Sequence, residues 1–192
     1  MEKRLIVATA NAGKAREFKE MLPMFEVRCF KDLGADCNVE ETGATFYENA
    51  LLKARAAAEL FPEDYVLADD SGLEVDALGG APGVFTARYA GEGASDRENI
   101  AKLLSALEGK ADRSARFVCQ LVLLSPDGAI TAVRGESEGE ILPAPRGAGG
   151  FGYDPVFFSK DLQKGFGECT DAEKNSVSHR GRAIGRLLEI LR

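Results

Sequence analysis

What the chain lacks narrows its chemistry first. It has a single histidine, His179, in 192 residues, which excludes a His-rich zinc centre and an HExxH metalloprotease helix. Its four cysteines, Cys29, Cys37, Cys119 and Cys169, are scattered with no CxxC pair. They read as reduced thiols of a cytoplasmic protein rather than as a zinc site or disulfide framework. Any metal must then be held mainly by carboxylates and carbonyls, which points to Mg²⁺, Mn²⁺ or Ca²⁺. No apolar run approaches the length that crosses a bilayer. The first residues, Met1-Glu-Lys-Arg-Leu-Ile-Val7, pass straight into a strand-like segment, so neither secretion nor a membrane partner is expected. Positive charge is in deficit: 24 Lys and Arg against 31 Asp and Glu give a formal charge of −7. Such a chain is a poor candidate for nucleic-acid binding, which runs on surplus Lys and Arg. A local basic pocket for a small anion stays open.

What is present is an ordinary globular composition, 45% hydrophobic and 29% charged, long enough for one core and at most two lobes. Leu5–Ala8 reads as a buried strand, followed by a polar loop and a helix from about Lys14 to Leu22. Phe25–Cys29 alternates as a second strand. Thr45 and Glu48 have capping-box spacing and open a long helix with Phe46, Ala50, Ala54, Ala57 and Phe61 on one face, stopped by Pro62. Tyr65–Ala68 is a strand ending on Asp69-Asp70-Ser71-Gly72. Ser95 and Glu98 cap a helix that runs to Leu107. Ala115–Leu124 and Ala129–Ile141 are long strands around the turn Ser125–Gly128. After the Gly-rich Arg146–Gly152, Tyr153–Phe158 is a further strand. A helical turn near Asp171–Lys174 and a helix from Ser178 to Leu191 close the chain. The expected fold is α/β: an elongated mixed sheet with flanking helices, one domain over 1–192, pinched into two lobes around a cleft.

Two motif matches fail on context. Gly135-Glu-Ser-Glu-Gly139 fits the nucleophile elbow, but the Pro-containing segment after it cannot supply the helix that motif requires. Gly147-Ala-Gly-Gly-Phe-Gly152 fits the dinucleotide fingerprint, yet it leads into a strand rather than from a strand into a helix. It remains a glycine loop suited to lie near a ligand.

The residues that carry chemistry are elsewhere. Thr9-Ala-Asn-Ala-Gly-Lys14 connects a buried strand to a helix start. Its backbone N–H groups, small side chains and lysine suit a phosphate cradle. It is not a Walker A loop, since the leading glycine and the Ser or Thr after the lysine are missing. On its own it reads equally as a plain strand–helix connection. Asp69 and Asp70 stand where open α/β sheets place ligands, and alternation sends only one of them into a given face. Glu40 and Glu41 precede the long helix and offer a second carboxylate, though spacing alone fits a solvated acidic loop. Metal-assisted attack of water on a phosphoryl group needs such carboxylates around Mg²⁺ and cations on phosphate oxygens. Lys14, Lys53, Lys174 and Arg180 are available as cations. Ser178 as an N-cap puts His179 and Arg180 in a first helical turn, against the dipole, which suits an anion or carbonyl-rich ligand nearby.

Taken together, Thr9–Lys14, Glu40-Glu-Thr-Gly43, Asp69-Asp-Ser-Gly-Leu73, Phe151-Gly-Tyr-Asp-Pro155 and Ser178-His-Arg180 resemble the inosine triphosphate pyrophosphatase family. Its members, the bacterial dITP/XTP pyrophosphatases among them, hydrolyse non-standard purine nucleoside triphosphates. Glu48-Asn-Ala50, Gly79–Gly83, Ala87-Arg-Tyr89 and Ala172–Asn175 add to the likeness, which covers essentially the whole chain in family order. One departure is Ala10, where the family usually has glycine; it is expected to tighten the loop's approach to phosphate, with a modest effect. Two other readings remain, and the residues weigh against each. A septum-formation-type pyrophosphatase would carry an N-terminal Ser-x-Ser-Pro-Arg-Arg signature, which is absent. A non-catalytic nucleotide-binding module would lack the carboxylates, which are present.

The resemblance implies roles. Thr9, Ala10, Asn11, Ala12, Gly13 and Lys14 resemble the segment that holds the triphosphate. Asp70 is similar to the residue that binds Mg²⁺ and accepts the proton of the attacking water, and Glu40 matches the second metal-linked carboxylate better than Glu41. Lys53 and Lys174 look like phosphate or substrate contacts, and Ser71 lies in the substrate site. Phe151, Gly152, Tyr153 and Asp154 resemble the wall against base and sugar, while His179 and Arg180 approach the purine edge. A keto oxygen at C6 accepts from such donors, whereas the amino group of adenine leaves donors facing each other, a mismatch worth roughly 10⁴-fold or more. The implied reaction is NTP + H₂O → NMP + pyrophosphate on ITP, dITP and XTP, by a homodimer with the nucleotide in its cleft.

Overall fold

The computed structural model describes residues 4–35 and 39–191; Cys37 lies outside them. Seven strands form one sheet in the order β2-β1-β3-β4-β5-β6-β7. They are β1 (Arg4–Ala8), β2 (Glu26–Cys29), β3 (Tyr65–Val75), β4 (Ser114–Leu124), β5 (Ile130–Ile141), β6 (Phe157–Ser159) and β7 (Lys164–Gly165). The helices are α1 (Ala12–Met21), α2 (Phe46–Leu60), α3 (Asp96–Ala106), α4 (Asp171–Val177) and α5 (His179–Ile190). β1 pairs in parallel with both β2 and β3, while β6 pairs antiparallel with β5 and β7. The sheet is therefore mixed, as the sequence implies.

The chain divides into two compact units. One comprises Met1–Asp70, Cys119–Gly135 and Ala183–Arg192, the other Ser71–Val118 and Glu136–Arg182. In the first unit the alternation of β1 and β3 sorts the core into two faces. Leu5, Val7 and Leu67 pack with Phe18 and Leu22 of the α1 segment and Ala183, Ile184 and Leu187 of α5. Ile6, Ala8, Val66 and Ala68 pack with Ala50, Ala54 and Ala57 of α2. Odd positions of β3 thus look toward α1, and even positions toward α2. The second unit has its own core, in which Leu73 and Val75 pack with Leu103, Phe117, Phe157 and Phe166.

α2 begins where expected: Thr45 accepts from the Glu48 N–H, and the Glu48 carboxylate accepts from the Thr45 N–H. Thr45→Ala should cost about 1 kcal/mol of stability in urea unfolding, the usual worth of an N-cap. A loss indistinguishable from zero would mean the box is ornamental.

Two expectations are corrected. β3 does not end at Ala68 but runs on through Asp69 and Asp70 to Val75. The polar quartet stays extended because its carboxylates find partners in Lys14 and the buried Asn49 and because Leu73 and Val75 bury fully beyond it. Tyr153–Phe158 is not one strand. Pro155 sits in a 3-10 turn over Asp154–Val156, and only then does β6 begin. Gly135–Gly139 lies inside β5, so no nucleophile elbow exists there.

Candidate active site

In the first unit the loop after β1 turns directly into α1. Asn11 is the N-cap: its side-chain oxygen accepts from the Lys14 N–H at 3.1 Å, and its own N–H donates to Thr9 Oγ1 at 3.2 Å. Ala10, Ala12 and Gly13 leave the approach to the helix start unobstructed by long side chains. A cavity of about 500 Å³ opens beside this loop, lined among others by Thr9, Ala10, Arg16, Lys19 and Cys29. Asp70 and Lys53 are not among its lining residues.

Asp69 and Asp70 are 1% and 5% exposed, and alternation separates them. Asp69, at an odd position, meets Lys14 of α1 at 2.9 Å. Asp70, at an even position, meets α2: Asn49 Nδ2 donates to its Oδ2 at 3.1 Å and Lys53 Nζ stands 3.4 Å from its Oδ1. Lys53 also binds Glu41 at 2.7 Å. Three carboxylates thus share two ammonium groups. Burial lifts the Asp70 carboxyl above its ordinary range, Glu41 adds to this, and Lys53, Lys14 and Asn49 pull it back. For Lys53, burial opposes the charge, but Asp69, Asp70 and Glu41 outweigh it and raise its pKa. The carboxylates of the cluster offer only oxygen ligands. That set suits a hard divalent cation. Among the described residues no three His, Cys, Asp or Glu converge as a ready-made metal cage. Mg²⁺ commonly takes one or two carboxylates and completes its shell with water and substrate phosphates.

In the second unit, Lys174 of α4 is 4% exposed and its ammonium binds Asp154 Oδ2 at 2.7 Å. It also lies 4.4 Å from the centre of the Phe151 ring. Asp154 Oδ2 accepts from the Phe151 N–H at 2.8 Å, and the Gly152 N–H donates to Asp96 Oδ2 at 2.8 Å. The Tyr153 hydroxyl donates to the Thr86 carbonyl at 2.9 Å, and burial pushes its phenol well up. Ser178 Oγ accepts from the Gly181 N–H at 3.0 Å, capping α5. That fixes its first turn, where the His179 ring stacks on Phe117 at 4.8 Å and the Arg180 guanidinium donates to Ser71 Oγ at 3.0 Å.

The expected residues therefore fall into two sets. Thr9–Lys14, Lys53 and Asp70 gather in the first unit; Ser71, Phe151–Asp154, Lys174, His179 and Arg180 gather in the second. Glu40 is exposed, and Glu41 is the neighbour whose carboxylate is joined to Asp70 through Lys53. Asn49, Asp96, Phe117 and Thr86 hold these residues in place and went unread. Only Asn49 had a signal, its place in Glu48-Asn-Ala50; the others act across long separations in sequence.

Residues 5–190 match the Ham1 family. A dITP/XTP pyrophosphatase of Bacillus licheniformis is 49% identical, over 98% of both chains. One from Bacillus subtilis is 48% identical, over 98% of this chain and 97% of its own. The solved structure of the Staphylococcus aureus Ham1 protein superposes with a TM-score of 0.88 at 44% identity, over 98% of each chain. A HAM1 protein from Coxiella burnetii gives 0.87 at 42% identity, again over 98% of each. The chain belongs to the Ham1 family.

Proposed function

We propose that this chain hydrolyses non-standard purine nucleoside triphosphates, ITP, dITP and XTP, to the monophosphate and pyrophosphate. The observation that carries the reading is Asp70, buried beside Asn49 and Lys53 on the face of β3 that meets α2. The activity named for the Bacillus relatives supports it. Asp70 takes the proton of the attacking water and, with Glu40, holds Mg²⁺; Glu41 keeps Lys53 in reach. A bound Mg²⁺ supplies charge neutralisation at the triphosphate. Thr9–Lys14 offers the α1 N-terminus and a lysine to phosphate oxygens, and Lys14 can leave Asp69 for the developing pyrophosphate charge. Proton transfer through a positioned carboxylate fits a base whose pKa burial has raised.

By the resemblance, the nucleoside end falls to a second group of residues. Phe151 offers a ring face and Arg180 and His179 offer donors to a C6 oxygen, with Ser71 beside Arg180. Lys174 acts first by fixing Phe151 and Asp154. By the same resemblance the active form is a homodimer and 1–192 works as a single pyrophosphatase domain in the cytoplasm, where its thiols stay reduced. Light scattering tests the dimer.

Pyrophosphate release from ITP with Mg²⁺ by the purified protein is the direct test, and a nucleotide panel with ATP and GTP reports selectivity. No turnover of ITP, dITP or XTP would end this reading. Arg180→Ala checks the base contact. A hydrogen bond to a charged donor is worth about 1.5–3 kcal/mol, so the preference for ITP over ATP in kcat/KM should fall roughly ten- to hundredfold. Equal proportional losses on both nucleotides would instead make Arg180 a phosphate or structural residue.

A further inference from the structure

Asn49 takes no part in the chemistry above, yet it is fully buried and bonded at both ends of its amide. Its Oδ1 accepts from the Gly43 N–H at 2.8 Å, and its Nδ2 donates to Asp70 Oδ2 at 3.1 Å. The backbone N–H can only donate, so the amide has one orientation and its NH₂ must face Asp70. The second Asp70 oxygen, Oδ1, is the one nearest Lys53. Gly43 is built for this contact: a Cβ there would lie 2.6 Å from Glu48 Cβ and 2.7 Å from Asn49 Oδ1. The loop that carries Glu40 and Glu41 is therefore held against α2 at a distance that only glycine permits.

We propose that Asn49 is a positioning residue for the hydrolysis. Its amide ties the Glu40–Gly43 loop to Asp70 and occupies Asp70 Oδ2, so that metal and water are met through Oδ1, the oxygen shared with Lys53. The inference rests on the functional reading given above, and it assigns the two oxygens of one carboxylate to different tasks. Without the tie, Asp70 can rotate about its last torsion and the acidic loop loses its buried anchor to α2, keeping the Glu41–Lys53 pair, part of which is exposed to water. Groups that orient metal-linked carboxylates typically govern metal affinity or activity by about 10–100-fold.

The test uses the full chain with Asn49→Ala and Asn49→Asp. Three readouts are taken: Mn²⁺ binding by electron paramagnetic resonance without nucleotide, Gly43 amide exchange by ¹⁵N NMR, and ITP hydrolysis across a Mg²⁺ titration. In Asn49→Ala, Gly43 should exchange faster, and Mn²⁺ affinity and the Mg²⁺ half-saturation should both worsen by about tenfold or more. KM for ITP at saturating Mg²⁺ should change little. Asn49→Asp keeps the volume and the acceptor for Gly43, so that amide stays protected, but a carboxylate now faces Asp70 and kcat should fall by about tenfold or more. Accelerated Gly43 exchange with unchanged metal binding and kcat in Asn49→Ala would reduce Asn49 to a structural role and overturn the proposal. So would a wild-type kcat in Asn49→Asp, which decides the matter if the alanine variant fails to fold. A wild-type protein inactive on ITP would defeat the functional reading instead, while Mn²⁺ binding and Gly43 exchange would still decide the tie.

Discussion

Asp70→Asn should lower kcat for ITP by roughly 10²–10⁴-fold, because general-base assistance alone is worth that much, and the loss of a metal-linked charge adds to it. Nucleotide binding should partly survive, since Thr9–Lys14 and Arg180 are untouched. Asp69→Asn should lose less, because its carboxylate lies on the other face of β3 against Lys14. Folding should not suffer. Burial holds the Asp70 carboxyl above its ordinary range, so the folded chain binds its proton more tightly than the unfolded chain does. The ionised group therefore works against folding once the pH passes the unfolded value, about 3.9, and this opposition grows until the pH passes the folded value. The asparagine variant should accordingly be as stable as the parent at pH 4 and as stable or more so at pH 7. Pyrophosphate release across a Mg²⁺ titration, with urea unfolding at both pH values, measures both effects. A folded Asp70→Asn enzyme with near-parental kcat would remove Asp70 from the chemistry, and Asp69 or Glu41 would be next in line.

The largest stability effect should come from Asp154→Ala. Lys174 and Asp154 have side chains 5% and 3% exposed and 2.7 Å apart, so the alanine leaves a buried ammonium stripped of its carboxylate. Breaking one side of a buried pair costs about 3–5 kcal/mol. Lys174→Met added to Asp154→Ala should recover part of that loss, because an apolar side chain suits the space beside Phe151 and Phe166. Both variants should lose activity, since Asp154 also holds the Phe151 N–H. Urea unfolding of the two single variants and the double variant closes the cycle. A loss below about 1 kcal/mol for Asp154→Ala would mean that the pair is hydrated in solution.

Local chemistry made most of the elements legible. The Thr45/Glu48 and Ser95/Glu98 boxes marked where their helices begin, since a cap bonds within one turn. Ala129–Ile141 read as a strand, and burial along β5 follows the period of two that a strand imposes. Two errors share one cause. Asp-Asp-Ser-Gly has the composition of a turn, and Tyr153–Phe158 has the composition of a strand. In the first case Lys14, Lys53 and Asn49, remote in sequence, held the polar residues extended. In the second, Pro155 and the Asp154 carboxylate curled the chain before it could pair.

The site followed the same division. Residue types and spacings drew attention to Thr9–Lys14, the Asp69–Asp70 pair and Ser178–Arg180, and the family resemblance picked Asp70 out of that pair. Which carboxylate faces which lysine was not written there. That depends on the parity of β3 relative to α1 and α2, which only packing sets: Asp69 goes to Lys14, Asp70 to Asn49 and Lys53, and Glu41 rather than Glu40 closes on Lys53. Lys174 made the point most sharply. As a sequence residue it is a cation available to phosphate; folded, it is buried against Asp154 and a phenylalanine ring. An ion pair between residues 20 positions apart forms only when the tertiary fold has taken both groups out of water, and no local pattern encodes that.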